Sequence, residues 1–153
     1  MTVHLTWGAE KGRVRYRDLR LVTGRVAELL TEYPTALVFV AGDFNILSVT
    51  DEMRFLRGET LHEPGEFWVD AWQWLHPTEP GFTQHPASQY AAQTARGIGI
   101  ADPSTLPPRR IDYVMIRGWS YGRLGPNPVM SLWGGPDVDP ISDHLGMTVS
   151  FDY

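Results

Sequence analysis

The sequence contains no cysteine. That removes disulfides, zinc thiolates and a cysteine nucleophile from consideration. It contains no apolar run long enough to span a bilayer, so no membrane segment is expected. No secretory leader is visible, and the cytoplasm is the expected compartment. Internal repeats are absent, and no shift in composition marks a second domain. The 153 residues suit one compact domain over positions 1–153. Basic residues are in the minority, with 13 Lys and Arg against 18 Asp and Glu and a formal charge of −5. Tight, unspecific nucleic-acid binding draws on Lys and Arg, so this balance disfavours it. The same acidic excess suits a site that gathers carboxylates around a cation. Apolar residues reach 42%, enough to build a core and to exclude a disordered tail.

Hydrophobic periodicity divides the chain into alternating elements. Met1 to Trp7 reads as a strand already in progress. Tyr16 to Tyr33 reads as an amphipathic helix with Leu19, Val22, Val26, Leu29, Leu30 and Tyr33 on one face, stopped by Pro34. The continuous apolar run Ala36–Ala41 predicts a strand buried on both faces. Ser48 to Asp51 resembles a capping box before a short helix that ends near Gly58. Phe67 to Leu75 suits either a short helix or a strand. Gln84 to Pro108 is rich in Pro, Ser, Ala and Gly and predicts an extended surface loop. Ile111–Ile116 predicts a second buried strand. Leu145 to Phe151 alternates, which predicts a last strand with one face inward. Mixed strands and helices give an α/β or α+β class.

Three clusters carry chemistry, and each abuts a predicted strand. They are Gly42-Asp43-Phe44-Asn45, Arg110-Ile111-Asp112-Tyr113 and Ser142-Asp143-His144. Taken singly, each has a bland reading: a turn, a strand edge, a loop. Their strand contexts favour convergence on one rim, because strand ends hold side chains rigidly. Three carboxylates on one rim repel one another unless a divalent cation neutralises them. Oxygen ligands favour magnesium, manganese or calcium over zinc. His62, His76 and His85 read as surface residues. Trp68, Trp72 and Trp74 read as packing, and Arg13, Arg15 and Arg17 as a solvated helix entrance.

In this order the clusters resemble the signature of the endonuclease/exonuclease/phosphatase superfamily, with its deoxyribonuclease-I-like fold. GDFN stands at Gly42–Asn45, RIDYV at Arg110–Val114 and SDHLG at Ser142–Gly146. Val3-His4-Leu5 and Gly81-Phe82-Thr83 resemble two further family segments. The resemblance implies part of a four-layer αββα sandwich and a metal-dependent phosphoester hydrolase using Mg2+ or Mn2+. Its substrate would be a nucleic acid, nucleotide, phospholipid or sugar phosphate. By resemblance, Asp43 orients or deprotonates the attacking water and shares a metal with Asp143. Asn45 and His144 contact phosphoryl oxygens, His144 also transfers a proton with its tautomer fixed by Asp112, His4 acts as acid to the leaving group or binds phosphate, and Thr83 belongs to the substrate-binding set.

The departures are equally specific. Family domains begin earlier, with an Asn and a Glu that hold the main metal, and neither can be placed here. Gln84 follows Thr83 where many members carry an aromatic residue. The resemblance therefore implies an N-terminally truncated domain, its first half missing or supplied by another chain. The alternative is a non-catalytic phosphate-binding remnant or an inactive fragment. On its own, the chain is expected to aggregate, to leave its buried strands partly uncovered and to hydrolyse little.

Overall fold

The computed structural model describes residues 1–60, 66–86, 88–125, 127–134 and 142–152, the side chain of Trp119 excepted. The elements run β1 (Thr2–His4), α1 (Gly12–Glu32), β2 (Phe39–Asp43), α2 (Asp51–Leu56), β3 (Trp68–Asp70), α3 (Ala71–Leu75), α4 (Gln89–Gly97), β4 (Asp112–Arg117), α5 (Gly118–Tyr121), β5 (Val129–Trp133) and β6 (Gly146–Ser150). Four strands form a mixed sheet in the order β1-β2-β4-β3. β1 and β2 run parallel, while β4 is antiparallel to both β2 and β3. β5 and β6 form a separate antiparallel ribbon.

The period of two along β2 and β4 sorts their side chains to opposite faces. Val40, Tyr113 and Met115 pack with Leu19 and Val26 of α1. Phe39, Ala41, Val114 and Ile116 pack with Trp72 and with Met130, Met147 and Val149 of the ribbon. Phe39 stacks on Phe151 at 5.2 Å between ring centroids. A helix therefore covers one face of the sheet and a second sheet covers the other, which is why β2 over Phe39–Ala41 and β4 over Tyr113–Ile116 are apolar on both faces. The expectation of partly uncovered strands is corrected for one strand and met in the other: Ile111 and Tyr113 to Ile116 are buried, whereas over 36–41 only Val40 is, with Leu37 to Phe39 and Ala41 half-buried and Ala36 exposed.

Several boundaries differ from those predicted. The strand expected at Ala36–Ala41 lies at Phe39–Asp43, so Asp43 is its last residue. α1 begins at Gly12, and its inward face includes the polar Arg15 and Thr23, while Leu29 and Tyr33 are exposed. Arg15 is no solvated entrance. It is buried against Glu52 of α2 at 3.1 Å and donates to the carbonyls of Thr6 and Gly8. Helical periodicity scored only apolar side chains and so missed a charged pair on the same face. The capping box is absent: Thr50 is the N-cap, but its hydroxyl donates to the Leu47 carbonyl. Phe67 to Leu75 contains both options, a short strand followed by a helix that Asp70 caps through Trp72 and Gln73.

The largest correction is the stretch Gln84–Pro108, which holds α4 and a 3-10 turn at Pro103–Thr105. α4 buries only Ala91 and Ala95, one helical turn apart. Such small side chains give little periodic signal, although Ala is the best helix former. β5 had no predicted counterpart. β6 follows the expected alternation, with Met147 and Val149 turned inward. Trp68 and Trp72 are buried and Trp74 packs on Tyr121, so the tryptophans are packing residues. His76 is not a free surface residue: it stacks on Trp72 at 4.2 Å and its Nε2 meets the Met130 carbonyl at 3.1 Å. His85 is half-buried, and His62 lies outside the described residues.

Candidate active site

β2 ends in the turn that builds the first wall of the site. Gly42 has φ 136°, and a Cβ there would stand 2.0 Å from the Val3 carbonyl oxygen, so only glycine lets β1 approach this closely. Phe44 is buried edge-to-face on Tyr113 at 5.5 Å, which anchors the turn from below. Asn45 adopts φ 51°, a left-handed conformation that asparagine tolerates better than most residues. Its backbone N–H donates to Asp43 Oδ1 at 2.7 Å. Its Nδ2 donates to the Leu5 carbonyl at 2.9 Å and to Asp43 Oδ2 at 3.2 Å. Both neighbours are pure acceptors, which fixes the amide orientation. Asn45 thus holds the Asp43 carboxylate and ties it to the chain beyond β1.

Asp112 opens β4 and sits directly opposite Asp43 in the antiparallel register. Thr83 supports it from beneath, its Oγ1 accepting from the N–H groups of Ile111 and Asp112 at 3.2 and 3.3 Å. The Thr83 carbonyl accepts from Leu145 N–H at 2.7 Å, which sets the segment carrying His144 beside Asp112. His144 Nδ1 lies 2.9 Å from Asp112 Oδ2. A proton on Nδ1 gives that buried oxygen the donor it otherwise lacks. On the other ring edge, Gln84 Nε2 lies 3.1 Å from His144 Nε2. Gln84 Oε1 in turn accepts from Arg109 Nη2.

These groups face one open cleft of about 700 Å³. His4, Asp43, Asn45, Asp112, Asp143 and His144 all line it, so the three clusters expected on one rim are brought together, with His4 beside them. Asp43, Asp112 and His144 each offer a ligand atom within 4.8 Å of the others, and this group could hold a metal ion. Asp143 stands apart from that group, with Thr94 and Ser142 hydroxyls on its carboxylate at 3.4 and 3.5 Å. His4 reaches Asp43 Oδ2 at 3.5 Å. Thr83 is fully buried and outside the cleft lining, because its hydroxyl is turned under the Asp112 backbone.

The electrostatics follow from this crowding. Burial pushes the Asp43 carboxyl above its ordinary value; the Asn45 N–H pulls it down, Asp112 pushes it up, and His144 and His4 pull it down. The hydrogen bond to Asp112 raises the His144 imidazole, against the opposing effect of burial. The site therefore contains an acid held toward its neutral form and a base held toward its charged form. Groups pushed in this way across a short distance are suited to proton transfer. The cleft residues to which sequence reasoning gave no role are Gln84, Arg109 and Thr94. The first two flank recognised segments, and the third sits on the helix read as a loop.

The sequence model of the endonuclease/exonuclease/phosphatase family matches residues 11–144. The chain belongs to that family. No curated protein matches the sequence. Among solved structures, truncated TDP2 from Caenorhabditis elegans is 22% identical over 98% of this chain and 52% of its own, with a TM-score of 0.60. Another structure of C. elegans TDP2 is 21% identical over 98% of this chain and 40% of its own, with a TM-score of 0.62. A humanised TDP2 from D. rerio is 22% identical over 100% of this chain and 54% of its own, with a TM-score of 0.60. The likeness establishes the deoxyribonuclease-I-like fold, and the chain spans about half the length of these structures. No helix among the described residues is long and apolar enough to cross a membrane.

Proposed function

We propose that this family member hydrolyses a phosphoester at the Asp43–Asp112–His144 cleft with a divalent cation, magnesium or manganese. The observation that carries the reading is the His144–Asp112 hydrogen-bond pair standing opposite Asp43 in strand register. Such a pair orients the imidazole and stabilises its protonated form. Protonated His144 then donates from Nε2 to a phosphoryl oxygen and stabilises charge that grows in the transition state. Asp43, held toward its neutral form by burial, accepts the proton of the attacking water as its oxygen bonds to phosphorus. The leaving oxygen departs with the electron pair of the broken P–O bond and takes a proton from His4, which lines the same cleft. Asn45 serves first as the residue that aims Asp43, since both its amide hydrogens are engaged. Its Nδ2 reaches a phosphoryl oxygen once Asp43 Oδ2 is otherwise occupied. Thr83 acts from below by holding Asp112.

The donor set fits a hard cation. Two carboxylates lie opposite each other in register, and like charges so placed repel unless neutralised. Oxygen ligands suit Mg2+ and Mn2+. Asp43 and Asp112 would hold such an ion, with Asp143 at the edge of the cleft. When bound, it supplies charge neutralisation at the phosphoryl group and a more acidic water.

The test is hydrolysis of bis(4-nitrophenyl) phosphate and 4-nitrophenyl phosphate by the protein expressed from its full reading frame, with Mg2+, Mn2+ or EDTA. Turnover of one substrate should require the cation, and His144→Ala should lower it ~10²-fold or more. Turnover indifferent to EDTA, or near-normal rates in His144→Ala, would overturn the reading. Phosphate binding without turnover under any cation would favour the non-catalytic alternative.

A further inference from the structure

We propose that Gln84 and Arg109 form a cap on His144 that an incoming phosphoryl group releases. The proposal rests on the reading of the cleft as a phosphoryl site. Gln84 and Arg109 are clamped to each other through the main chain. Gln84 N–H donates to the Arg109 carbonyl at 2.9 Å, and Arg109 N–H donates back at 2.8 Å. Their side chains continue the contact into the cleft, which both line. The direction of every hydrogen bond there is fixed by chemistry. A guanidinium only donates, so Arg109 must meet the amide oxygen of Gln84. The amide nitrogen is thereby turned to His144, whose Nε2 must accept. The proton then sits on Nδ1, where the buried Asp112 Oδ2 needs a donor. Guanidinium, amide, imidazole and carboxylate form one chain of donors running in a single direction.

The chain has a consequence for binding. While Gln84 donates to Nε2, that ring nitrogen is closed to anything in the cleft. Arg109 is the one guanidinium among the described cleft-lining residues, which otherwise contribute three carboxylates. A phosphate oxyanion offers it an acceptor of opposite charge that fits the guanidinium fork bidentately, in place of a single neutral amide oxygen. As Arg109 turns to the phosphoryl group, Gln84 Oε1 loses its donor and the amide loses its fixed direction. His144 Nε2 is uncovered, which leaves it free to take from solvent the proton with which it donates to the phosphoryl oxygen. Gln84 and Arg109 are positioning residues in this account: Arg109 senses the anion and Gln84 holds the imidazole.

The experiment reads His144 directly and needs no turnover. Long-range 1H–15N correlation spectra of the 15N-histidine-labelled protein are recorded at a pH where the imidazole is neutral, with His144 assigned by its loss in His144→Asn. The wild type should show a protonated Nδ1 and an acceptor Nε2. In Gln84→Met, which has similar size but no donor, the Nε2 resonance should move while Nδ1 stays. Adding inorganic phosphate to the wild type should move the Nε2 resonance away from its capped position. Arg109→Leu should need ~10-fold more phosphate or beyond for any change. A wild-type Nε2 that carries the proton, or an Nε2 unmoved in Gln84→Met, overturns the cap. Equal phosphate response in wild type and Arg109→Leu overturns the release. A Gln84→Met shift with no phosphate binding in any variant overturns the phosphoryl reading, and the release with it.

Discussion

Asp70 and Asp112 stand on the adjacent strands β3 and β4, yet they are served very differently. Asp70 is buried and fully satisfied. Its Oδ1 caps α3 by accepting from Trp72 and Gln73 N–H at 3.1 and 3.3 Å, and its Oδ2 accepts from Arg110 at 2.6 Å. Arg110 in turn lies over the Tyr113 ring at 4.6 Å. Asp112 faces another carboxylate across the strand pair and depends on the His144 ring for its buried oxygen. One acid sits in a closed set of donors, two backbone N–H groups and one guanidinium. The other sits in a set that is short of positive charge and open to a cleft. The first arrangement holds two elements together, and the second leaves capacity for a ligand.

The sharpest way to break the comparison is to remove the cation from the closed set. Arg110→Ala strands Asp70 as an unpaired buried charge and should cost ~3–5 kcal/mol of stability in thermal or urea unfolding. A change under ~1 kcal/mol would mean that Asp70 is satisfied by its capping bonds alone. The open set should respond in the opposite sense. Asp43→Asn should lower turnover ~10²-fold or more while the fold is kept. Its melting temperature without added metal should not fall at neutral pH, because the carboxylate is held there against burial and a like charge. A marked loss of stability with activity intact would reverse the two roles.

How much of this was legible beforehand depends on the residues concerned. The central strands, α1 and the three clusters were visible because apolar runs and periodicity report burial directly, as at Val40 and Leu19. The cleft was visible because its acids and His144 sit in short motifs beside those strands. Arg15–Glu52 was not, because pattern reading assigns charged residues to solvent and cannot see a partner 37 positions away. α4 was hidden by its small buried side chains. Gln84 was noticed only as a departure from the family, since the meaning of an amide depends on which atoms surround it.

A smaller effect tests the support beneath Asp112. Thr83→Val removes the acceptor for two backbone N–H groups in the buried floor and should cost ~1–3 kcal/mol of stability. Turnover should fall as well, because the Asp112 backbone is freed. Unchanged stability would place another acceptor beneath Ile111 and Asp112.

The smallest expected effect is in the pH dependence of stability. The folded His144 pKa lies above its ordinary 6.5. Its contribution is therefore fully present below about pH 6.5 and is lost as pH rises through the folded value. Asp43 is also raised, from 3.8, so its protonated form is favoured in the fold and its contribution is lost as pH rises through that folded value. Asp112→Asn removes the main cause of the His144 shift. The stability difference between wild type and Asp112→Asn should be larger at pH 6 than at pH 9. A difference that is flat with pH would mean that the pair does not favour the charged imidazole.

The central claim is that Asp112 and His144 act as one unit on a phosphoester in this cleft. The most direct test is kcat/KM for cation-dependent hydrolysis in Asp112→Asn, His144→Ala and the double variant. Residues acting as a unit are strongly non-additive. The account predicts that the double variant is no slower than the worse single variant, with His144→Ala already ~10²-fold down. Losses that multiply in the double variant, or cation-dependent turnover that survives His144→Ala, would contradict it.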